Sequence, residues 1–185
     1  ERNMKKMVIA FILMILVFIP AVFAQDSSKV LVVYYSRDGH TKMVGDEIAA
    51  QSGAVTEQLI DTKKRSGALG TMGAGNDAIQ HKTTVLEPAQ NDPAGFDIII
   101  IGTPAWFSNM TPAVRTYLTE HRLADKRVYF FATCHSIGAD KATEQMADLV
   151  YGADAKAVPQ LPLRHADLKS ADFKEKVGAF LKQIE

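Results

Sequence analysis

Apolar residues follow two rhythms along this chain. Residues 29–35, 96–102 and 127–133 are short runs, apolar on both faces and rich in β-branched and aromatic side chains. Such runs predict strands buried on both sides of a parallel sheet. Residues 55–60 half-alternate and predict a further strand. Residues 155–163 predict a last strand, placed at a sheet edge because Pro159 and Pro162 interrupt it. Between the strands the period becomes helical. Met43, Val44, Ile48 and Ala49 mark a helix stopped by Gly53; Val114, Tyr117 and Leu118 mark one that opens on Thr111-Pro112. Met146, Leu149 and Val150 mark a helix capped by Asp140 and ended by Gly152. Phe173, Val177, Phe180 and Leu181 mark a last one capped by Ser170. Residues 61–95, with Gly67, Gly70, Gly73 and Gly75, read as irregular, with a short helix near 76–80.

Strands and helices thus alternate, which predicts an α/β fold: a doubly wound parallel sheet with helices on both faces. Ligands of such sheets sit at the carboxyl ends of the strands, near a switch point. The loops at 36–41, 103–110 and 133–139 are therefore the candidate site.

A different pattern occupies the start. Lys5 and Lys6 precede an apolar run over 8–19, Pro20 breaks it, and Val22 and Ala24 place small residues before Gln25. This is the order of a secretory signal peptide cleaved after Ala24. The alternative is an uncleaved membrane anchor, for which the run is at the lower length limit. Residues 1–24 are thus a leader and 25–185 one domain, expected outside the cytoplasm, in the periplasm or extracellular space. If the leader is retained, the domain is membrane-anchored.

Composition adds exclusions. The 185 residues hold 21 basic and 21 acidic side chains, and a formal net charge of zero gives no electrostatic case for nucleic acid. One cysteine excludes an internal disulfide or a Cys-rich zinc site, and five histidines without HxxxH spacing argue against a His-built metal site.

The loops carry the chemistry. Residues 36–41 combine a strand end, Gly39, a helix start, two hydroxyls (Ser36, Thr41) and two basic side chains (Arg37, His40), as a phosphate cradle needs. The loop is neither a GxGxxG nor a GxxxxGK[ST] motif. Trp106, the chain's one tryptophan, lies beside Phe107 in the second loop, either packed on the core or offered to a planar ligand. The third loop brings backbone amides with Cys134, His135 and Ser136. Cys134 reads as a small buried residue at a strand end. Lys63, Lys64, Arg65, His81 and Lys82 form a basic segment, read as a solvated loop or as a docking face for an acidic partner.

Three motifs in order make the chain resemble the flavodoxin family over nearly all of residues 29–184. They are the strand followed by Ser36-Arg-Asp-Gly-His-Thr41, the Gly102-Thr-Pro-Ala-Trp106 loop with its helix, and the Thr133-to-Gly138 loop. The resemblance implies a five-stranded sheet of order 2-1-3-4-5 and an FMN cofactor. Carried over, Ser36, Arg37, Asp38, Gly39, His40 and Thr41 hold the FMN phosphate. Pro104, Ala105 and Trp106 line the isoalloxazine, with Phe107, Ser108 and Asn109 close by. Thr133, Cys134, His135, Ser136 and Gly138 meet its pyrimidine edge. The chain departs from the pattern at Asp38, where the family has Ser or Thr, and at His135, where it has Gly.

The leading functional reading is an exported FMN electron carrier that exchanges electrons with a redox partner protein or a small-molecule acceptor. An FMN-dependent NAD(P)H or quinone oxidoreductase is the first alternative, and a flavin-free binding module on the same fold is the second. No catalytic side chain and no metal are assigned.

Overall fold

A computed structural model describes residues 29–123 and 125–184. The leader lies outside the described residues. Strands β1 (Val30–Tyr34), β2 (Val55–Gln58), β3 (Ile98–Pro104), β4 (Arg127–Cys134) and β5 (Gln160–Arg164) form one sheet, ordered β2-β1-β3-β4-β5. All four pairings are parallel. The helices are α1 (His40–Ser52), α2 (Gly67–Ile79), α3 (Pro112–Glu120), α4 (Ala139–Tyr151), α5 (His165–Leu168) and α6 (Phe173–Leu181). This is the predicted architecture.

The unbroken apolar strands feed two cores because successive side chains point to opposite faces. Leu31, Val33, Ile99, Ile101, Val128 and Phe130 pack on Val114, Tyr117 and Leu118 of α3 and Met146 of α4. Val32, Tyr34, Ile98, Ile100 and Phe131 pack on Val44 and Ile48 of α1 and on Phe173, Val177, Phe180 and Leu181 of α6. Two glycines let the layers close. A Cβ on Gly45 would lie 2.8 Å from the Tyr34 ring, and one on Gly102 would run into the Phe131 ring.

Several boundaries follow the sequence. Gly53, at φ 70°, ends α1 with its N–H on the Ala49 carbonyl. Thr111 caps α3 through the Val114 N–H, with Pro112 in the first turn. Three expectations fail at the edges. Residues 152–157 form a 3-10 turn, so β5 starts only at Gln160; it does lie at the sheet edge. The last helix is entered from Asp172 rather than Ser170, whose hydroxyl turns back onto the Asp167 carbonyl. Asp140 sits inside the first turn of α4, and Gly138, at φ 100°, takes the cap position.

The larger correction concerns 61–95. The glycine-rich stretch is a helix of 13 residues, α2. Glycine disfavours helix, but here it permits close approach. A Cβ on Gly70 would sit 2.9 Å from the Arg65 backbone, and one on Gly75 would overlap the Phe107 ring. Buried ion pairs anchor the helix. Arg65, 5% exposed, bonds Asp61 at 2.7 Å and Asp77 at 2.5 Å. Asp77 also takes Lys63 at 2.7 Å and Lys82 at 3.5 Å. Beyond the helix the chain returns to bridge Asp61 and Leu86.

Among the described residues, no helix is long and apolar enough to cross a membrane.

Candidate functional site

The three candidate loops converge at the carboxyl ends of β1, β3 and β4, and direct contacts join each to the others. Thr41, in the first turn of α1, shares a buried 2.8 Å hydrogen bond with Thr133 near the end of β4. The Ala105 N–H donates to the Thr133 carbonyl at 2.7 Å. Gly138 packs so tightly on Ser108 that a Cβ there would lie 2.8 Å from the Ser108 Cα. The Arg37 guanidinium carbon stands 5.3 Å from the centre of the Trp106 ring, a cation–π distance.

The first loop keeps its backbone donors open. Gly39, at φ 87°, turns the chain into α1. The N–H groups of residues 37–41 donate to no other group of the described chain; the Lys42 N–H bonds the Ser36 hydroxyl oxygen at 3.2 Å. Open N–H groups at a helix start favour an anion. Asp38 does not oppose this as a free carboxylate. Arg37 holds both its oxygens, with Nε at 3.1 and 3.2 Å and Nη2 at 3.0 Å.

The second loop is a tight hairpin. Trp106 and Asn109 exchange both backbone hydrogen bonds, at 2.9 and 3.0 Å. Phe107 and Ser108 occupy the two turn positions at φ 51° and 60°, the signs of a type I′ turn. Buried Thr103 and Thr111 close its base: the Thr111 N–H donates to the Thr103 hydroxyl at 3.0 Å. Gln145 of α4 holds Asn109 at 2.8 Å. Trp106 is half-buried, edge-on to Tyr35 at 5.7 Å between ring centres. Phe107 is 73% exposed, although part of its ring lies in the gap above Gly75. Arg37, Thr71, Gly75, Ala105, Trp106 and Phe107 line a small hollow.

In the third loop His135, Ser136 and Ile137 are exposed, and their N–H groups donate to no other group of the described chain. Cys134 is buried, and burial pushes its thiol pKa up. A wider groove beside it runs past Gly138 and Asp140 to the β5 edge, Lys176 and Phe180.

The structure thus assembles every predicted loop, but with divided roles. Thr41, Thr133 and Cys134 are buried. The two threonines tie loops together, and exposed surface comes from Ser36, Arg37, Asp38, Gly39, His40, Pro104, Ala105, Trp106, Phe107, Ser108, Asn109, His135 and Ser136. The basic segment is not a free patch, since Lys63, Arg65 and Lys82 are spent on Asp61 and Asp77.

One residue was missed. His165, first in α5, stacks on His40 with ring centres 3.8 Å apart and planes 11° off parallel. His135 meets it edge-on at 5.5 Å. Its signal in the sequence was its place just beyond the carboxyl end of a predicted strand. Among the described residues, no group of three or more His, Cys, Asp or Glu is arranged to hold a metal ion.

No family model matches this chain. Over 94 residues, 49% of its length, it is 33% identical to an NAD(P)H dehydrogenase (quinone) of Acidithiobacillus ferrooxidans, of which it covers 46%. The chain spans about half the length of the curated relatives it matches. Among solved structures, a Bacteroides eggerthii protein described as a flavoprotein superposes with a TM-score of 0.68 at 17% identity, covering 85% of this chain and 98% of that one. A Lactobacillus acidophilus flavoprotein in complex with FMN superposes with a TM-score of 0.58 at 20% identity, covering 74% and 92%. The fold is flavodoxin-like. The switch point of a flavodoxin-like sheet lies between β1 and β3, where the loop of open amides and the Trp106 hairpin meet.

Proposed function

We propose that this protein is an FMN-dependent oxidoreductase that takes electrons from a reduced nicotinamide nucleotide and passes them to a quinone-type acceptor. The observation that carries the cofactor is the meeting of an open amide cradle with an aromatic wall, bridged by Arg37. The residues fit the group. The N–H groups of 37–41 and the Ser36 hydroxyl would hold the phosphate. Trp106, with Pro104 and Ala105, would flank the ring, and the amides of 135–137 would meet its polar edge. The flavin, once bound, supplies the electron transfer. The chain contributes binding, orientation and partial exclusion of water, with the hairpin fixed through Gln145 and the Thr103–Thr111 pair.

Two points support turnover over carriage. The curated relatives are named NAD(P)H dehydrogenase (quinone). The basic segment that a carrier would use for docking is largely neutralised by Asp61 and Asp77. A nicotinamide can stack directly on a flavin, so this reading needs no dinucleotide cradle of its own.

Stopped-flow mixing of the FMN-loaded protein with NADH or NADPH tests this. Flavin absorbance is expected to bleach and, with benzoquinone added, to cycle at about 1 per second or faster, the lower end of ordinary enzyme rates. Reduction by dithionite alone, with no response to either nucleotide, would return the protein to the carrier reading.

The leader pattern supports export as part of the same proposal. Mass spectrometry of the protein from its host is expected to find Gln25 first. A membrane-bound form that retains residues 7–24 would support the anchor instead.

A further inference from the structure

The formal charges around the cradle cancel before any ligand arrives. Arg37 is paired with Asp38, and Lys42 holds both oxygens of Asp46 at 2.8 Å. A phosphomonoester dianion placed among the amides of 37–41 would therefore find little free positive charge from side chains of the loop itself. What remains within the cradle is imidazole. His40 belongs to the loop, and His165, directly after the carboxyl end of β5, is stacked face to face on it, with His135 edge-on to His165. The stack joins the end of β5, which no candidate loop included, to the start of α1.

We propose that His165 is part of the phosphate site, and that the His40–His165 stack takes up one proton from solvent when a phosphomonoester dianion occupies the cradle. This rests on the FMN reading of residues 36–41. Two imidazolium rings stacked this closely repel, whereas one charged and one neutral ring do not. The stack therefore holds one added charge comfortably and a second with difficulty. The surroundings agree. Burial first, then His40 and His135, hold the His165 pKa below the ordinary imidazole value in the ligand-free protein. Asp38 acts in the opposite sense, and exposed Lys169 adds to the lowering. The neighbouring Arg164 and Asp167 pair with each other, and Asp167 also takes Lys176. A dianion at the cradle reverses the balance, so the proton is gained on binding. Binding that takes up a proton weakens as pH rises toward the ligand-bound pKa.

The test is the dissociation constant of FMN between pH 5.5 and 8.5 for the wild type and His165→Gln, with riboflavin as the probe lacking phosphate. The phosphate's own second ionisation, near 6, affects both proteins and cancels in their ratio. His165→Gln is expected to weaken FMN about tenfold on the acid side, the scale of one charge-assisted hydrogen bond. The ratio should fall toward one at pH 8.5, and riboflavin affinity should be unchanged throughout. A ratio for FMN that does not vary with pH, or an equal loss for riboflavin, overturns the proposal and leaves His165 a packing residue. If the wild type binds neither flavin, the FMN reading fails separately. Imidazole NMR signals of the wild type with inorganic phosphate then decide. Movement of the His40 and His165 signals toward their protonated positions sustains the proposal for phosphate alone, and no movement overturns it. The same NMR measurement stands if His165→Gln does not fold.

Discussion

The hydroxyls of Thr41 and Thr133, 92 residues apart in sequence, share one buried hydrogen bond of 2.8 Å. It fastens the first turn of α1 to the end of β4, and so fixes the first candidate loop against the third. Thr133→Val would keep the shape and leave the Thr41 hydroxyl buried without its partner. A loss of about 1–3 kcal/mol in urea unfolding is expected, the cost of an unsatisfied buried polar group. Thr41→Val added to Thr133→Val should cost much less than the sum of the two single changes. Additive losses would show that the hydroxyls do not interact in solution.

Two glycines of α2 make a paired test. Gly73 has no atom within 4 Å of a Cβ position, whereas a Cβ on Gly75 meets the Phe107 ring. Gly73→Ala should stabilise by about 0.5–1 kcal/mol through helix propensity. Gly75→Ala should destabilise despite the same propensity gain, and should shift Trp106 fluorescence as the hairpin is displaced. Equal midpoints for the two variants would mean that Phe107 does not rest on Gly75.

Trp106→Ala should weaken FMN about 5- to 150-fold, corresponding to about 1–3 kcal/mol of lost stacking by analogy with bases on aromatic side chains. Fluorescence titration measures it. Trp106 is half-buried against Tyr35, so urea unfolding should also record a modest loss of stability. A stability loss with unchanged FMN affinity would make the tryptophan a core residue alone.

Asp77 gives a pH dependence. Lys63, followed by Arg65, holds its carboxyl at about 2, below the ordinary carboxylate value of about 3.9. The folded pKa is the depressed one, so this stabilisation is fully present above about pH 4 and is lost as pH falls toward 2. With half-exposed Lys63 screened by solvent, it is of order 1–2 kcal/mol. Urea midpoints of wild type and Asp77→Asn should differ clearly at pH 7, draw together below about pH 4 and converge only as pH falls through about 2. A gap independent of pH would assign the effect to packing.

Cys134 should resist alkylation. It is 4% exposed and its thiol pKa is raised by burial, so little thiolate forms or meets reagent. Iodoacetamide at pH 7.5 should modify it only after denaturant is added. Rapid labelling of the native protein would contradict its burial.

The central sheet was legible because β1, β3 and β4 are buried on both faces and show it as unbroken apolar runs. Thr111-Pro112 and Gly53 marked helix limits through backbone chemistry that needs no tertiary partner. Helix α2 was not legible. Its glycines argue against helix locally, and the reason for Gly75, the Phe107 ring, comes from elsewhere in the chain. The ion pairs were hidden likewise, since Lys63 and Arg65 read as a basic run until Asp77 folds back onto them. The three site loops were readable by motif. His165 was not, because Pro159 and Pro162 mark β5 as an edge strand and no motif follows its carboxyl end.

The strand order has a consequence for synthesis. β1 lies inside the sheet, between β2 and β3, yet Val30 pairs with Ile98, so 68 residues must follow before its β3 partner exists. At about 5–20 residues per second the ribosome takes roughly 3–14 s to make them. During that interval this apolar strand has only short, mostly exposed β2 to pair with. The nascent domain therefore presents an open sticky edge for seconds, long enough for a chaperone or a translocating machine to engage it before folding can finish.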